Sequence, residues 1–320
     1  MSTVAVVGNT TWGTTLATFL GRCGHDVRLV VRSQAEAEEV TLVASGYTPT
    51  CEARAAFDCV EHVLWAVPSQ TMRTNAEKLG PFLESAVCHT SVAKGLEVDT
   101  GMRMTEVLAD VLPLQSVRAL CALSGPNLAR EIAAGLPAAA VVASTDVDTR
   151  SEVRRLFASP RFMTVGSEDL IGVELAGALK NIVALGAGMM DGLHLGDNAK
   201  AAFIALTWSE VISFAVAMGA RESTLYGLAG FGDVIATCVS DLSRNHRVGF
   251  EVARGRCLDE VLASLHHVAE GVNTARAVHR LCRDLRLDAP IMTSIYRVLF
   301  EGYPVGRAVA RFTGQVQRDS

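Results

Sequence analysis

The chain has 320 residues, 49% of them hydrophobic and 20% charged, with a formal net charge of −5. That length holds two domains whose cores need no covalent staples, and the composition is that of a folded globular protein. The acidic balance argues against a nucleic-acid partner, which requires a concentrated basic face.

In chain order, near-continuous apolar runs at 4–7, 27–31, 63–67, 86–92, 119–123 and 138–143 alternate with amphipathic stretches at 12–23, 71–83 and 102–112. Runs without polar alternation suit strands covered on both faces. Their alternation with helices predicts an α/β fold, a doubly wound parallel sheet with right-handed crossovers. A final unit, helix 150–158 and strand 161–165, closes it. Beyond residue 167 the spacing turns helical, at 169–190, 199–218, 258–265, 274–285 and 292–300. The expected domains are therefore 1–167 and an all-α 168–320. The eight cysteines form no C-x-x-C pair and the eight histidines no H-E-x-x-H, which predicts reduced thiols and no metal. The start of the chain has no signal-peptide core, and no apolar run reaches the ~18 residues of a bilayer span. The expected location is cytoplasmic, without stable membrane insertion.

TVAVVGNTTWG (3–13) joins a strand to a helix start. Gly8 and Gly13 hold the outer positions of G-x-G-x-x-G, and Thr10 stands in the middle. The setting is that of a pyrophosphate on a helix amino terminus. The middle glycine normally lets backbone approach the phosphate, so Thr10 is expected to displace the anion or turn its hydroxyl toward it. The second strand ends in Arg32, where an acid would hold a ribose 2′-hydroxyl. With no acid beside it, that cation predicts NADPH over NADH.

Further on, SVAKGLE (91–97) and LSGPNLAREIAAGLP (123–137) place Lys94, Gly125 and Asn127 just past strand ends, where open α/β sheets bind ligands. GVELAGALKNIVALGAGMMDG (172–192) sets Lys180 and Asn181 in an apolar helix. A lysine there is costly unless paired, and desolvation favours the neutral form that moves protons. Asp233 is its candidate partner. GLAGFGDVIATCVSDLSRNHRVG (227–249) gathers glycines with Thr237, Ser243, Arg244 and Asn245, a pattern suited to bidentate phosphate recognition. Each feature has a plainer reading: a solvated arginine after a strand, a lysine snorkelling from a core edge, a polar helix–loop–helix connection.

Together these segments resemble the NAD(P)-dependent sn-glycerol-3-phosphate dehydrogenase family of bacterial type. The resemblance rests on AVPSQ (66–70), AKGLE (93–97), SGP (124–126), ELAGALKN (174–181), LGDNAKAA (195–202), GLAGFGD (227–233), SRN (243–245) and VAEGVNTA (268–275), in that order over nearly the whole chain. It implies a dinucleotide-binding Rossmann domain at 1–167 and an all-helical substrate-binding domain at 168–320. It also implies NADP or NAD as cofactor, a small phosphorylated substrate, a homodimer, and a role in supplying glycerol phosphate for phospholipid synthesis. By that resemblance Lys180 is the general acid–base, protonating the C2 oxygen as hydride arrives, with Lys94 and Asp233 in the same catalytic neighbourhood. Gly125, Asn127, Asn181, Thr237, Ser243, Arg244 and Asn245 hold substrate beside them. Gly8, Thr10, Thr11, Trp12, Gly13, Arg32, Ala129, Val268 and Glu270 fall at cofactor positions, with Lys94 and Arg244 near both ligands.

Four departures accompany the resemblance. Thr10 replaces a glycine, Asn127 stands where serine is common, 33–59 is shortened, and FIALTWSEV (203–211) lacks an arginine. Two other readings share the plan: a hydroxyacid or 6-phosphogluconate-type dehydrogenase, and a degenerate nucleotide-binding protein without turnover.

Overall fold

Successive residues of an extended strand face opposite sides of a sheet, so a strand covered on both sides must be apolar throughout. The first strand follows this rule in the computed structural model, which describes residues 1–83, 87–240, 242–265 and 268–312. Val4 and Val6 pack into one core with Leu16, Leu20, Leu29, Phe157 and Phe162. Ala5 and Val7 pack into a second core with Val63, Trp65, Met72 and Leu108. Residue 86, the first of the fourth apolar run, lies outside the described residues.

The chain divides into two units, one of Met1–Lys94 and Met102–Glu174, the other of Gly95–Gly101 and Leu175–Ser320. In chain order the first carries β1 (Thr3–Val7), α1 (Thr11–Arg22), β2 (Asp26–Val30), α2 (Gln34–Thr41), β3 (Thr48–Thr50), α3 (Ala53–Phe57), β4 (His62–Trp65) and α4 (Met72–Leu79). It continues with β5 (Val87–Ser91), α5 (Met104–Val111), β6 (Val117–Ser124), α6 (Ala129–Ala133), β7 (Ala138–Ala143), α7 (Val147–Leu156) and β8 (Phe162–Ser167). The strand order is β3-β2-β1-β4-β5-β6-β7-β8, with Val4 opposite Val27 on one side and His62 on the other. The order reverses between β1 and β4, which is where open α/β sheets leave a ligand crevice at the strands' carboxyl ends.

The sheet departs from the all-parallel expectation at one joint. β6 and β7 are antiparallel, Leu123 facing Val142. The helix between them, α6, has five residues, about 7.5 Å at 1.5 Å per residue. That is too short to carry the chain back along a strand, so it returns beside β6 in the opposite direction. The sequence also concealed β3, a three-residue TPT strand at the sheet edge. Its central Pro49 is tolerated only at such an edge.

The second unit is helical: α8 (Leu170–Gly192, whose first turn belongs to the first unit), α9 (Gly196–Ala217), α10 (Glu222–Leu225), α11 (Asp233–Val239), α12 (Arg244–Ala253), α13 (Leu258–Ala263), α14 (Glu270–Leu285), α15 (Pro290–Phe300) and α16 (Val305–Phe312). A π-helical turn, Leu228–Gly232, leads into α11. The expectation that no run is long enough to span a bilayer is corrected here. α8 and α9 both reach that length and apolarity, with 83% and 39% of the respective windows buried inside the chain. For α8 the cause is a core position: an apolar surface on all sides is what a central helix buries. α9 instead exposes an uncharged strip that includes Ala201, Ala205, Leu206, Ser209, Ser213 and Val216.

Candidate active site

In the first unit, two glycines close the β1–α1 turn. Gly8 has φ +115°, and a Cβ there would lie 2.9 Å from Val67 Cγ1. A Cβ on Gly13 would lie 2.1 Å from the Gly8 carbonyl oxygen. Both positions therefore require glycine, one for conformation and one for close approach. Thr10 occupies a different niche. It is the N-cap of α1, its Oγ1 accepting the Gly13 N–H at 3.0 Å and donating to the Ala66 carbonyl at 2.9 Å. The hydroxyl is thus turned to the protein rather than held out for a phosphate. The hydroxyl proton is committed to Ala66, and the cap holds the side chain against the protein. Thr11 and Trp12 form the first turn. The Trp12 ring packs on the core, while its Nε1 is buried with no partner.

The expectation of an arginine with no acid beside it fails. Arg32 Nε and Nη2 each approach the Glu36 carboxylate at 3.2 Å, and the Arg32 backbone N–H donates to it at 2.8 Å. Asn9, in the β1–α1 turn, donates to the same carboxylate at 3.0 Å. Burial pushes the Glu36 carboxyl up, but the bonds from Arg32 and Asn9 outweigh it and leave it below the usual value. The four-residue spacing of Arg32 and Glu36 on a helix start was the signal available in the sequence. Arg32 also lines a cavity of about 420 Å³ with Val31, Cys51, Arg54 and Leu79.

At the ends of β5 and β6, Lys94 Nζ donates to the Gly125 carbonyl at 2.8 Å. Gly125 has φ +138°, and a Cβ on it would meet the Ala139 carbonyl oxygen at 3.0 Å. Asn127 Nδ2 donates to that same oxygen at 2.9 Å, whereas its Oδ1 is buried with no partner. Ala129 opens α6 two residues later. The hydroxyls of Ser91 and Ser124, last residues of β5 and β6, are likewise buried and unpartnered. Buried polar groups are normally satisfied, so orphans gathered at strand ends fit a bound polar ligand.

In the second unit the chemistry resides in buried side chains. Lys180 on α8 donates to the Asp233 carboxylate and to Thr237 Oγ1, the latter at 2.7 Å. Thr237 in turn donates to the Asp233 backbone carbonyl at 2.7 Å. All three are buried. A charge pair at such a depth is stable only when its remaining hydrogen-bond capacity is met, and Thr237 meets part of it. Beside it, Asn245 Nδ2 donates to Asn181 Oδ1 at 2.8 Å, and Asn245 Oδ1 accepts the Gly271 N–H at 3.0 Å. This tie joins α8, α12 and the start of α14. Ser243 caps α12, its Oγ accepting the His246 N–H at 3.2 Å. Arg244, next along, is exposed. Desolvation lowers its pKa, opposed by the charge of Glu270 on α14. Val268 is exposed two residues before that helix.

Close backbone contacts set this geometry. A Cβ on Gly188 of α8 would lie 1.9 Å from the His246 carbonyl oxygen, and one on Gly249 of α12 would lie 1.8 Å from that of Leu185. The sequence reading also missed a bracing cluster nearby. Asp191 accepts from His246 Nε2 at 2.7 Å and pairs with Lys200 at 3.0 Å. Burial pushes the Asp191 carboxyl up, but these two partners hold it below the usual value.

The family model described as NAD-dependent glycerol-3-phosphate dehydrogenase N-terminus matches residues 3–150, and the one for its C-terminus matches residues 169–310. A glycerol-3-phosphate dehydrogenase (NAD(P)+) from Dehalococcoides mccartyi is 42% identical over 316 residues, covering 94% of this chain and 87% of that one. One from Geobacter metallireducens is 40% identical over 318 residues, with 96% and 95% coverage. The crystal structure of glycerol-3-phosphate dehydrogenase from Coxiella burnetii superposes with a TM-score of 0.92 at 30% identity, over 98% of each chain. With a Rossmann-type sheet, an all-helical second unit and likeness over almost its full length, this chain belongs to the NAD-dependent glycerol-3-phosphate dehydrogenase family.

Proposed function

We propose that this chain interconverts dihydroxyacetone phosphate and sn-glycerol 3-phosphate with NAD(P)H, supplying glycerol phosphate for phospholipid synthesis in the cytoplasm. The observation that carries the reading is Lys180, a buried lysine whose Nζ is held by Asp233 and Thr237. A cation fixed in this way is a proton donor placed for an alkoxide.

The first unit's residues fit a dinucleotide. The α1 amino terminus and the closed Gly8–Gly13 turn take the pyrophosphate, the cavity beside Arg32 takes the adenosine end, and Trp12 Nε1 and the strand-end hydroxyls lack partners that a ligand supplies. When bound, the cofactor supplies the hydride. Lys180 gives the proton to the C2 oxygen in reduction and removes it in oxidation, and Asp233 with Thr237 keeps Nζ aimed. Arg244 offers its guanidinium fork to the phosphate, with Asn245 and Ser243 beside it. Lys94, locked to Gly125, and Asn127, with its free acceptor, complete the polar contacts. Ala129, Val268 and Glu270 line the cofactor.

A second copy of this chain is the natural cover for the uncharged strip of α9. The proposed assembly is a homodimer, with no insertion into a bilayer. Sedimentation of wild type and Leu206→Glu tests it, a monomeric wild type ruling it out.

The function is tested by following NADH and NADPH oxidation with dihydroxyacetone phosphate as substrate. Turnover that stops without the phosphate group supports it. Turnover of a 2-hydroxyacid or of 6-phosphogluconate instead would transfer the chain to another activity, and binding without turnover would leave a nucleotide-binding protein.

A further inference from the structure

Arg32 read alone is a receptor for a 2′-phosphate, and the structure places a carboxylate against it. Glu36 is the better anchored of the two. Its side chain is 13% exposed, against 89% for Arg32. It is held by the Arg32 backbone N–H at 2.8 Å and by Asn9 Nδ2 at 3.0 Å, neither of which depends on the position of the guanidinium. An exposed ion pair restrains a long side chain only weakly, so the guanidinium is free to leave. The carboxylate is not. The Asn9 contact ties it to the turn that starts at Gly8, beside the end of β2, where this architecture receives the adenosine ribose.

We propose that Glu36 sets the dinucleotide preference of this chain, its fixed carboxylate accepting the ribose 2′-hydroxyl of NADH and repelling the 2′-phosphate of NADPH. The proposal rests on the dehydrogenase reading above and deepens it. The charge of Arg32 is then offset rather than available, and the NADPH preference drawn from Arg32 alone reverses or vanishes. Asn9 acts through Glu36 as a positioning residue. Arg54 and Lys78 line the neighbouring cavity, together with the acid Glu52. They raise affinity for both dinucleotides through the shared pyrophosphate and adenosine and leave discrimination to the group nearest the 2′ position.

Calorimetric titration of the full chain with NADH and with NADPH tests this without reference to turnover. Wild type is expected to bind NADH at least as tightly as NADPH. Glu36→Gln keeps the shape and removes the charge, and it should shift the ratio toward NADPH by roughly tenfold, the scale of one unit charge at close range in a partly solvated site. Adding Arg32→Ala to that variant should take the gain away. Asn9→Ala, which loosens the carboxylate but keeps its charge, should shift the ratio the same way by less. NADPH binding should also fall more steeply with salt in Glu36→Gln than in wild type, because an unopposed arginine is screened. A ratio unchanged within about twofold in Glu36→Gln, with its melting temperature near that of wild type, overturns the proposal while the dehydrogenase reading stands. Wild type binding neither dinucleotide removes both.

Discussion

The two units build their ligand-facing ends from different materials. In the sheet unit the decisive atoms are backbone. Gly8 and Gly13 close the turn, and the side chains of Thr10, Lys94 and Asn127 reach back to carbonyls of Ala66, Gly125 and Ala139. In the helical unit the decisive atoms are side chains: Lys180, Asp233, Thr237, Asn181 and Asn245 bond one another in the interior. A backbone-built end tolerates a change of side chain wherever the new group finds an internal partner, as Thr10 does. A side-chain-built end has less latitude, because its members compensate one another for burial.

The contrast predicts unequal damage. Lys180→Ala should lower kcat by roughly 10²–10⁴-fold, with dinucleotide affinity nearly unchanged by calorimetry. A near-normal kcat would put the chemistry elsewhere and break the comparison at its strongest point.

The helical unit also depends on backbone contact between α8 and α12, and this gives the next effect. Gly188→Ala forces a Cβ against the His246 carbonyl and should cost about 3 kcal/mol, the upper end for overpacking. In a thermal melt that is a Tm lower by roughly 5–10 °C. An unchanged Tm would mean that the α8–α12 spacing is adjustable.

Arg244→Lys keeps the charge but loses the fork, and should raise KM for dihydroxyacetone phosphate by about tenfold. Unphosphorylated dihydroxyacetone, a poor substrate throughout, should be scarcely affected. Equal losses on both substrates would take phosphate recognition away from Arg244.

The smallest change is expected in the sheet unit. Thr10→Gly restores the usual glycine yet should alter dinucleotide affinity by less than about threefold, since glycine replaces a capping residue at a cost of only a few tenths of a kcal/mol. A large gain in affinity would show that Thr10 obstructs the phosphate and that this end, too, is built from side chains.

Much of this was legible in the sequence. The largely apolar runs located β1, β2, β4, β5, β6 and β7, because a doubly covered strand lacks the regular polar alternation that would blur it, although β5 also buries His89, Thr90 and Ser91. The long helices α8, α9, α14 and α15 were found from their spacing, while α11 and the start of α12 were absorbed into a glycine-rich stretch with no sustained period, and the four-residue α10 was missed. Lys180 was visible as a charge out of place in an apolar helix, with Asp233 as its candidate partner.

By itself, then, the sequence determined the fold class, the family and the residues that carry charge, since burial patterns and motif order are properties of the chain. Pairing was decided by the tertiary structure. Only there does the Thr10 hydroxyl turn to Ala66, Glu36 close on Arg32 and Asn9, and β7 run against β6. The physical reason is that a hydrogen bond or a charge pair depends on distance and direction between groups, 56 residues apart for Thr10 and Ala66, and on which of them has lost its water. Those quantities exist only once the chain has packed.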